Sequence, residues 1–142
     1  MTAAFATGKT KTNEAVPVSN AQKRILVVDD NKDAADSFVL ILQRMGQSAR
    51  AVYHSSDVFE TMRSFMPHIV FLDIGLPGLD GYRISRMIRD ELGYDALKIV
   101  AVTAYAQDAD RVKARQAGFD AHVAKPVDYS IIESILKTID PA

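Results

Sequence analysis

Asp29, Asp30, Asp73, Thr103 and Lys125 are the side chains whose types could do chemistry together, and each stands at the end of a short apolar run. Carboxylates brought into one crevice repel, and one of them would keep its proton unless a cation compensates. A hard divalent ion with oxygen ligands removes the conflict. Mg²⁺ fits best, because it is usually held by one or two carboxylates together with water and phosphate oxygens. A carboxylate beside such an ion is a nucleophile toward a phosphoryl group, and the product is an acyl phosphate. The equatorial oxygens of that group must also be held, since positioning supplies most of the catalysis of phosphoryl transfer. Lys125 can pair with one oxygen, Thr103 can hydrogen-bond another, and the metal can take the third.

The elements that must position these groups are legible from apolar patterning. Ile25-Leu26-Val27-Val28, His68-Ile69-Val70-Phe71-Leu72 and the stretch 98–102 read as strands buried on both faces. Residues 49–53 read as an edge strand, and 119–124 as a fifth strand. Helical stripes lie between them. They are Ala34, Phe38, Ile41, Leu42 and Met45, closed by Gly46; then Val58, Phe59, Met62, Phe65 and Met66, capped by Ser55 or Ser56 and ended by Pro67. Ile84, Met87, Ile88 and Leu92 make a third face, which Asp80 is expected to cap. Residues 107–117 carry a thin face of Ala109, Val112 and Ala117, expected to be held loosely enough to move. Ile131, Ile132, Ile135, Leu136 and Ile139 line the last helix. Alternating strands and helices predict an α/β fold, a flavodoxin-like doubly wound sheet of five parallel strands in the order 2-1-3-4-5 with five helices. In such sheets ligands sit outside the carboxyl ends of the strands, so the ends of strands one, three, four and five converge on one crevice.

The bulk numbers restrict the function. A length of 142 residues suits one domain. Residues 1–22 are expected to be a flexible polar tail and 23–142 the folded domain, with no room for a second one. Within that tail Gly8-Lys9-Thr10 mimics the end of a phosphate-binding loop, but Ala3 stands where the motif needs glycine and no strand precedes it. A net charge of -1 offers no footprint for direct nucleic-acid binding. The chain has no cysteine, which excludes disulfide and thiolate chemistry. No apolar run is long enough for membrane insertion and no signal peptide is visible, so a cytoplasmic location is expected. His54, His68 and His122 are scattered and form no recognisable metal motif.

Four segments carry a resemblance to a known family. Ile25-Leu26-Val27-Val28-Asp29-Asp30-Asn31 resembles the acidic-pair strand of two-component response-regulator receiver domains. The run from Phe71-Leu72-Asp73 through Ile74-Gly75-Leu76-Pro77-Gly78-Leu79-Asp80-Gly81 is similar to their phosphoacceptor strand and loop. Ala101-Val102-Thr103-Ala104-Tyr105 resembles their switch strand, and Ala117-Gly118 through Lys125-Pro126 their Lys-Pro strand. The resemblance covers residues 24 to about 139 and has every landmark in order. It implies a phosphorylation-dependent switch, not a turnover enzyme. Asp73 would be the phosphoacceptor. Asp29, Asp30, Asp73 and the Gly75 carbonyl would hold Mg²⁺. Thr103 would move toward the phosphoryl group, Lys125 would pair with it, and the bond to Pro126 would be cis. The implied partners are a histidine kinase or histidine phosphotransfer protein as donor, and a downstream protein that docks on the fourth helix, fifth strand and fifth helix. A homodimer through that face is compatible with the resemblance. The stretch 120–128 looks like receivers appended to hybrid histidine kinases, and a single-domain regulator fits equally.

Two departures from the family pattern matter. His122 stands where many receivers carry a rotamer-switching aromatic, and an imidazole there would tune the output face near neutral pH. Gly75 and Tyr105 occupy the positions that set phosphoryl lifetime, and neither orients water well, so slow dephosphorylation is expected. Other functions fare worse. A haloacid-dehalogenase-like phosphatase would need a second acid two residues after its nucleophile, where this chain has Gly75. A flavodoxin would need a Ser/Thr/Gly-rich loop where Asp29 and Asp30 stand. A docking module on the same fold that is never phosphorylated stays open.

Overall fold

Continuous apolar runs become the centre of the sheet because both of their faces must be covered. In the computed structural model, which describes residues 22–75, 80–92, 96–104 and 108–138, these runs are β1 (Arg24–Val28), β3 (Ile69–Asp73) and β4 (Lys98–Thr103). The edges are β2 (Ser48–Val52) and β5 (Ala121–Ala124). All pairings are parallel and the order is β2-β1-β3-β4-β5. The expected order and fold class are therefore found. The expected tail lies outside the described residues, except for Gln22, as do Tyr105 and Ile139.

Period-two alternation divides the sheet between two cores. Ile25, Val27, Ile69, Phe71, Val100, Val102 and Val123 face one side, covered by α1 (Lys32–Arg44) and α5 (Tyr129–Lys137). Leu26, Val28, Val70, Leu72, Ile99 and Ala101 face the other, covered by α2 (Val58–Phe65), α3 (Gly81–Met87) and α4 (Asp108–Gln116). No helix among the described residues is long and apolar enough to cross a membrane.

Several local expectations shift. Ala35, not Ala34, packs under α1. Ser55 and Ser56 do not cap α2 but form a 3-10 turn ahead of it, and the helix ends at Phe65, with Met66 left-handed at φ 50° before Pro67. The third helix does not run regularly to Leu92, because Ile88–Leu92 is a π-turn. Val112 is 52% and Ile131 44% exposed, so α4 is seated by Ala114 and Ala117, and α5 by Ile132 and Leu136. Gly46, at φ 89°, follows α1 as expected of a left-handed stop.

Candidate functional site

The carboxyl ends of the central strands come together because they share one register. Leu72 of β3 pairs with Val28 of β1 and Ala101 of β4, and Thr103 pairs with Ala124 of β5. Asp29 is therefore the first residue past β1 and Asp73 the last of β3. Both are buried, at 7% and 9% exposure, while Asp30 is open to solvent. One carboxylate oxygen from each of Asp29, Asp30 and Asp73 lies within 4.8 Å of the others.

Short side-chain-to-backbone bonds hold the acids in place. Asn31 donates its amide to Asp29 Oδ1 at 2.9 Å, and its own side chain caps α1 by accepting from the Ala34 amide at 3.1 Å. The Gly75 amide donates to Asp73 Oδ1 at 2.9 Å. Asp80 caps α3, accepting from the Arg83 amide at 2.9 Å. Gly81 is packed on the Asp73–Ile74 peptide so closely that a Cβ would stand 2.7 Å from Ile74 Cα and 2.9 Å from the Asp73 carbonyl oxygen.

Lys125 answers the buried negative charge. Its Nζ lies 3.2 Å from Asp29 Oδ2 and 3.2 Å from Asp73 Oδ2. Burial alone would pull this ammonium down, but the charges of Asp73 and Asp29 outweigh it and hold the pKa above the ordinary lysine value. The backbone brings it there, since the Lys125 amide donates to the Thr103 carbonyl at 2.8 Å. The Lys125–Pro126 bond is cis, as the resemblance implied. Thr103 ends β4 half-buried, one position beyond the register partner of Asp73. The sequence-derived set of Asp29, Asp30, Asp73, Thr103 and Lys125 thus shares one edge of the sheet. Gly75 borders it, and Tyr105 lies outside the described residues.

Oxygen donors at these separations suit a hard divalent cation, and an ammonium between two of them shows how much positive charge the crevice accepts. The three donors are carboxylates, the ligand type that suits magnesium, calcium or manganese, with no thiolate or imidazole of the kind zinc sites favour in the cluster.

A family profile described as "Response regulator receiver domain" matches residues 25–137. The chain belongs to that receiver family. Among relatives of this receiver, Protein PilH of Pseudomonas aeruginosa is 30% identical over 117 residues, 82% of this chain and 94% of that protein. Transcriptional regulatory protein CseB of Streptomyces coelicolor is 31% identical over 118 residues, 83% of this chain and 49% of that protein. The crystal structure of a two-component response regulator from Clostridium difficile matches with a TM-score of 0.76 at 26% identity, covering 83% of this chain and 95% of that one.

Away from the acids, His122 of this receiver lies half-buried in β5 with Nε2 enclosed, beside a cavity of about 250 Å³ lined by Ala114, Arg115, Phe119 and Asp120. Val112 on α4 and Tyr129 and Ile131 on α5 are exposed apolar groups on either side of that strand. Two groupings were not foreseen from sequence. Tyr53, just past β2, donates its hydroxyl to Asp36 of α1 and lies under the Lys32 ammonium at 5.4 Å. Arg89, in the π-turn, ties together three separate segments. No spacing rule links residues this far apart, and only an Asp–Lys pair at the i, i+4 positions, Asp36 with Lys32, carried any signal at all.

Proposed function

We propose that this receiver is a phosphorylation-dependent signalling switch that accepts a phosphoryl group onto Asp73 from a histidine kinase or a histidine phosphotransfer protein. The observation that carries the reading is the Lys125 ammonium placed 3.2 Å from both Asp29 and Asp73 at the carboxyl edge of the sheet. An Asp73 oxygen attacks phosphorus, the phosphorus–nitrogen bond to the donor imidazole breaks, and the nitrogen keeps the electron pair. Asp29, Asp30, Asp73 and the Gly75 carbonyl would hold Mg²⁺, which when bound neutralises charge on the transferring oxygens. Lys125 exchanges its contact with the Asp73 carboxylate for a phosphoryl oxygen, and the Thr103 hydroxyl donates to another. The product is phosphoaspartate, and the protein catalyses only its own phosphorylation and a slow dephosphorylation.

Output through protein–protein contact on α4, β5 and α5 is supported by the exposed Val112, Tyr129 and Ile131. A cytoplasmic site of action fits a histidine-kinase donor. The test is intact mass after acetyl phosphate treatment, with and without Mg²⁺, beside Asp73→Asn. A Mg²⁺-dependent gain of one phosphoryl group that the variant lacks is the expected result. No gain from acetyl phosphate or from a kinase would favour a docking module that is never phosphorylated.

A further inference from the structure

One face of α3 and its π-turn connects the Asp73 loop to the far end of α4. At the near end Gly81 leaves no space between the helix and the Asp73–Ile74 peptide, and its amide donates to the Ile74 carbonyl at 3.1 Å. Displacement of that peptide must be passed on, because tight packing leaves nothing to absorb it. Tyr82, Ser85 and Arg89 follow at i, i+3 and i+7 spacing, which places them on one stripe. Tyr82 meets Phe119 edge-on at 6.1 Å and lies under the Lys113 ammonium at 4.6 Å. Ser85 is fully buried against Gly118, and its hydroxyl meets no hydrogen-bond partner among the described residues.

At the far end Arg89 acts as a clamp. Its Nε donates to the Gly118 carbonyl at 3.1 Å, Nη1 to the Leu97 carbonyl at 2.8 Å and Nη2 to Asp120 Oδ2 at 2.5 Å. The same Asp120 oxygen accepts from the Ile99 amide at 2.8 Å. One planar guanidinium thus joins α3 to the entry of β4 and to the turn between α4 and β5, a fork that lysine cannot reproduce. The helix carries this group in a π-turn, a distortion that recurs at functional positions.

We propose that α3 is a strut that carries the state of Asp73 to the α4–β5 turn, with Tyr82, Ser85 and Arg89 as positioning residues. The proposal rests on Asp73 being the phosphoacceptor. A phosphoryl group on Asp73 removes the carboxylate charge that strengthens its bonds from the Gly75 amide and Lys125. The 74–75 turn then shifts under Gly81, and the stripe re-seats against Gly118 and Phe119. The sealed Ser85 hydroxyl gives the shifted arrangement a hydrogen bond to gain, which is the differential contact that a two-state element requires. This route reaches β5 without the aromatic that His122 replaces.

Hydrogen exchange followed by mass spectrometry tests it on the full chain, with acetyl phosphate and Mg²⁺, in wild type, Asp73→Asn, Arg89→Lys and Arg89→Gln. Wild type should show a phosphorylation-dependent change of about threefold or more in amide exchange over 114–122, absent in Asp73→Asn. Both Arg89 variants should keep the phosphoryl mass gain and the response at 101–104 but lose most of the difference over 114–122. Arg89→Lys keeps the charge, so it remains informative if Arg89→Gln does not fold. An undiminished response in a folded Arg89 variant overturns the strut, as does a wild type whose 114–122 amides ignore phosphorylation. A wild type that takes up no phosphoryl group fails the receiver chemistry instead, and removes the strut's input with it.

Discussion

Lys125 sits between Asp29 and Asp73, so each carboxylate is compensated before any metal arrives. An ammonium and a divalent ion compete for the same oxygens. Lys125→Met should therefore tighten Mg²⁺ binding several-fold, on the order of 1 kcal/mol for one charge at a partly exposed site, while lowering phosphoryl occupancy. Calorimetric Mg²⁺ titration beside the mass assay separates the two effects, and weaker metal binding would contradict the competition. A second residue-scale effect lies at the opposite end of the sheet. His68 accepts the Arg24 amide on Nδ1 at 2.9 Å, which requires an unprotonated Nδ1. Burial, then the Arg24 and Lys23 charges, hold its pKa below the ordinary histidine value of 6.5. The folded state thus binds this proton less tightly than the unfolded chain, so the contribution is complete above 6.5 and is lost as pH falls through the lowered value. Urea midpoints should fall from pH 7.5 to 5.5 in wild type, and His68→Asn should flatten the part of that slope that His68 causes.

Glycines pack against α3 and its π-turn at both ends. A Cβ at Gly81 would meet backbone at 2.7 Å, and one at Gly118, where φ is +96°, would meet Arg89 Cγ at 2.9 Å. Gly81→Ala should cost about 2 kcal/mol or more, since backbone cannot rotate away, and should also disturb Asp73. Gly118→Ala should cost about 1–3 kcal/mol from the left-handed conformation together with the crowding of the Arg89 stem. Urea unfolding of both variants measures this, and losses below about 0.5 kcal/mol would mean that the contacts yield. The strands were legible at this scale because β-branched runs bounded by polar residues have few alternatives. Helix faces were less so. Val112 and Ile131 read as packing residues by hydrophobicity but are exposed, whereas Ala117 is buried as read and Ala114, which the reading passed over, is buried with it. Ser55 and Ser56 had the right chemistry for a cap, but the chain first makes a 3-10 turn.

For the whole molecule, stability comes from two cores separated by the sheet, and the site sits where their strands end. Phe71 is fully buried, with its ring 4.8 Å from that of Phe38, two positions before Asp73. Phe71→Ala should cost about 3–5 kcal/mol and loosen the site with the fold. Val112→Ala, on the exposed side of α4, should stay within about 0.5 kcal/mol. Chemical denaturation distinguishes them, and similar losses would mean that Val112 is packed.

The sequence by itself determined the fold class, the strand order and the membership of the acidic site. Strand ends must converge in a doubly wound parallel sheet, so residue type and position after each apolar run were enough to name Asp29, Asp30, Asp73, Thr103 and Lys125. Tertiary structure alone decided how charge is compensated within that set, and where the buried stripe of a helix departs from its apolar one, as at Val112 and Ile131. It also brought together the Lys32–Tyr53–Asp36 cluster and the Arg89 clamp. Those contacts join residues that no helical or strand period relates. They exist because packing on a common sheet brings distant segments into register, and side chains at such crossings are chosen by geometry that a one-dimensional pattern does not carry.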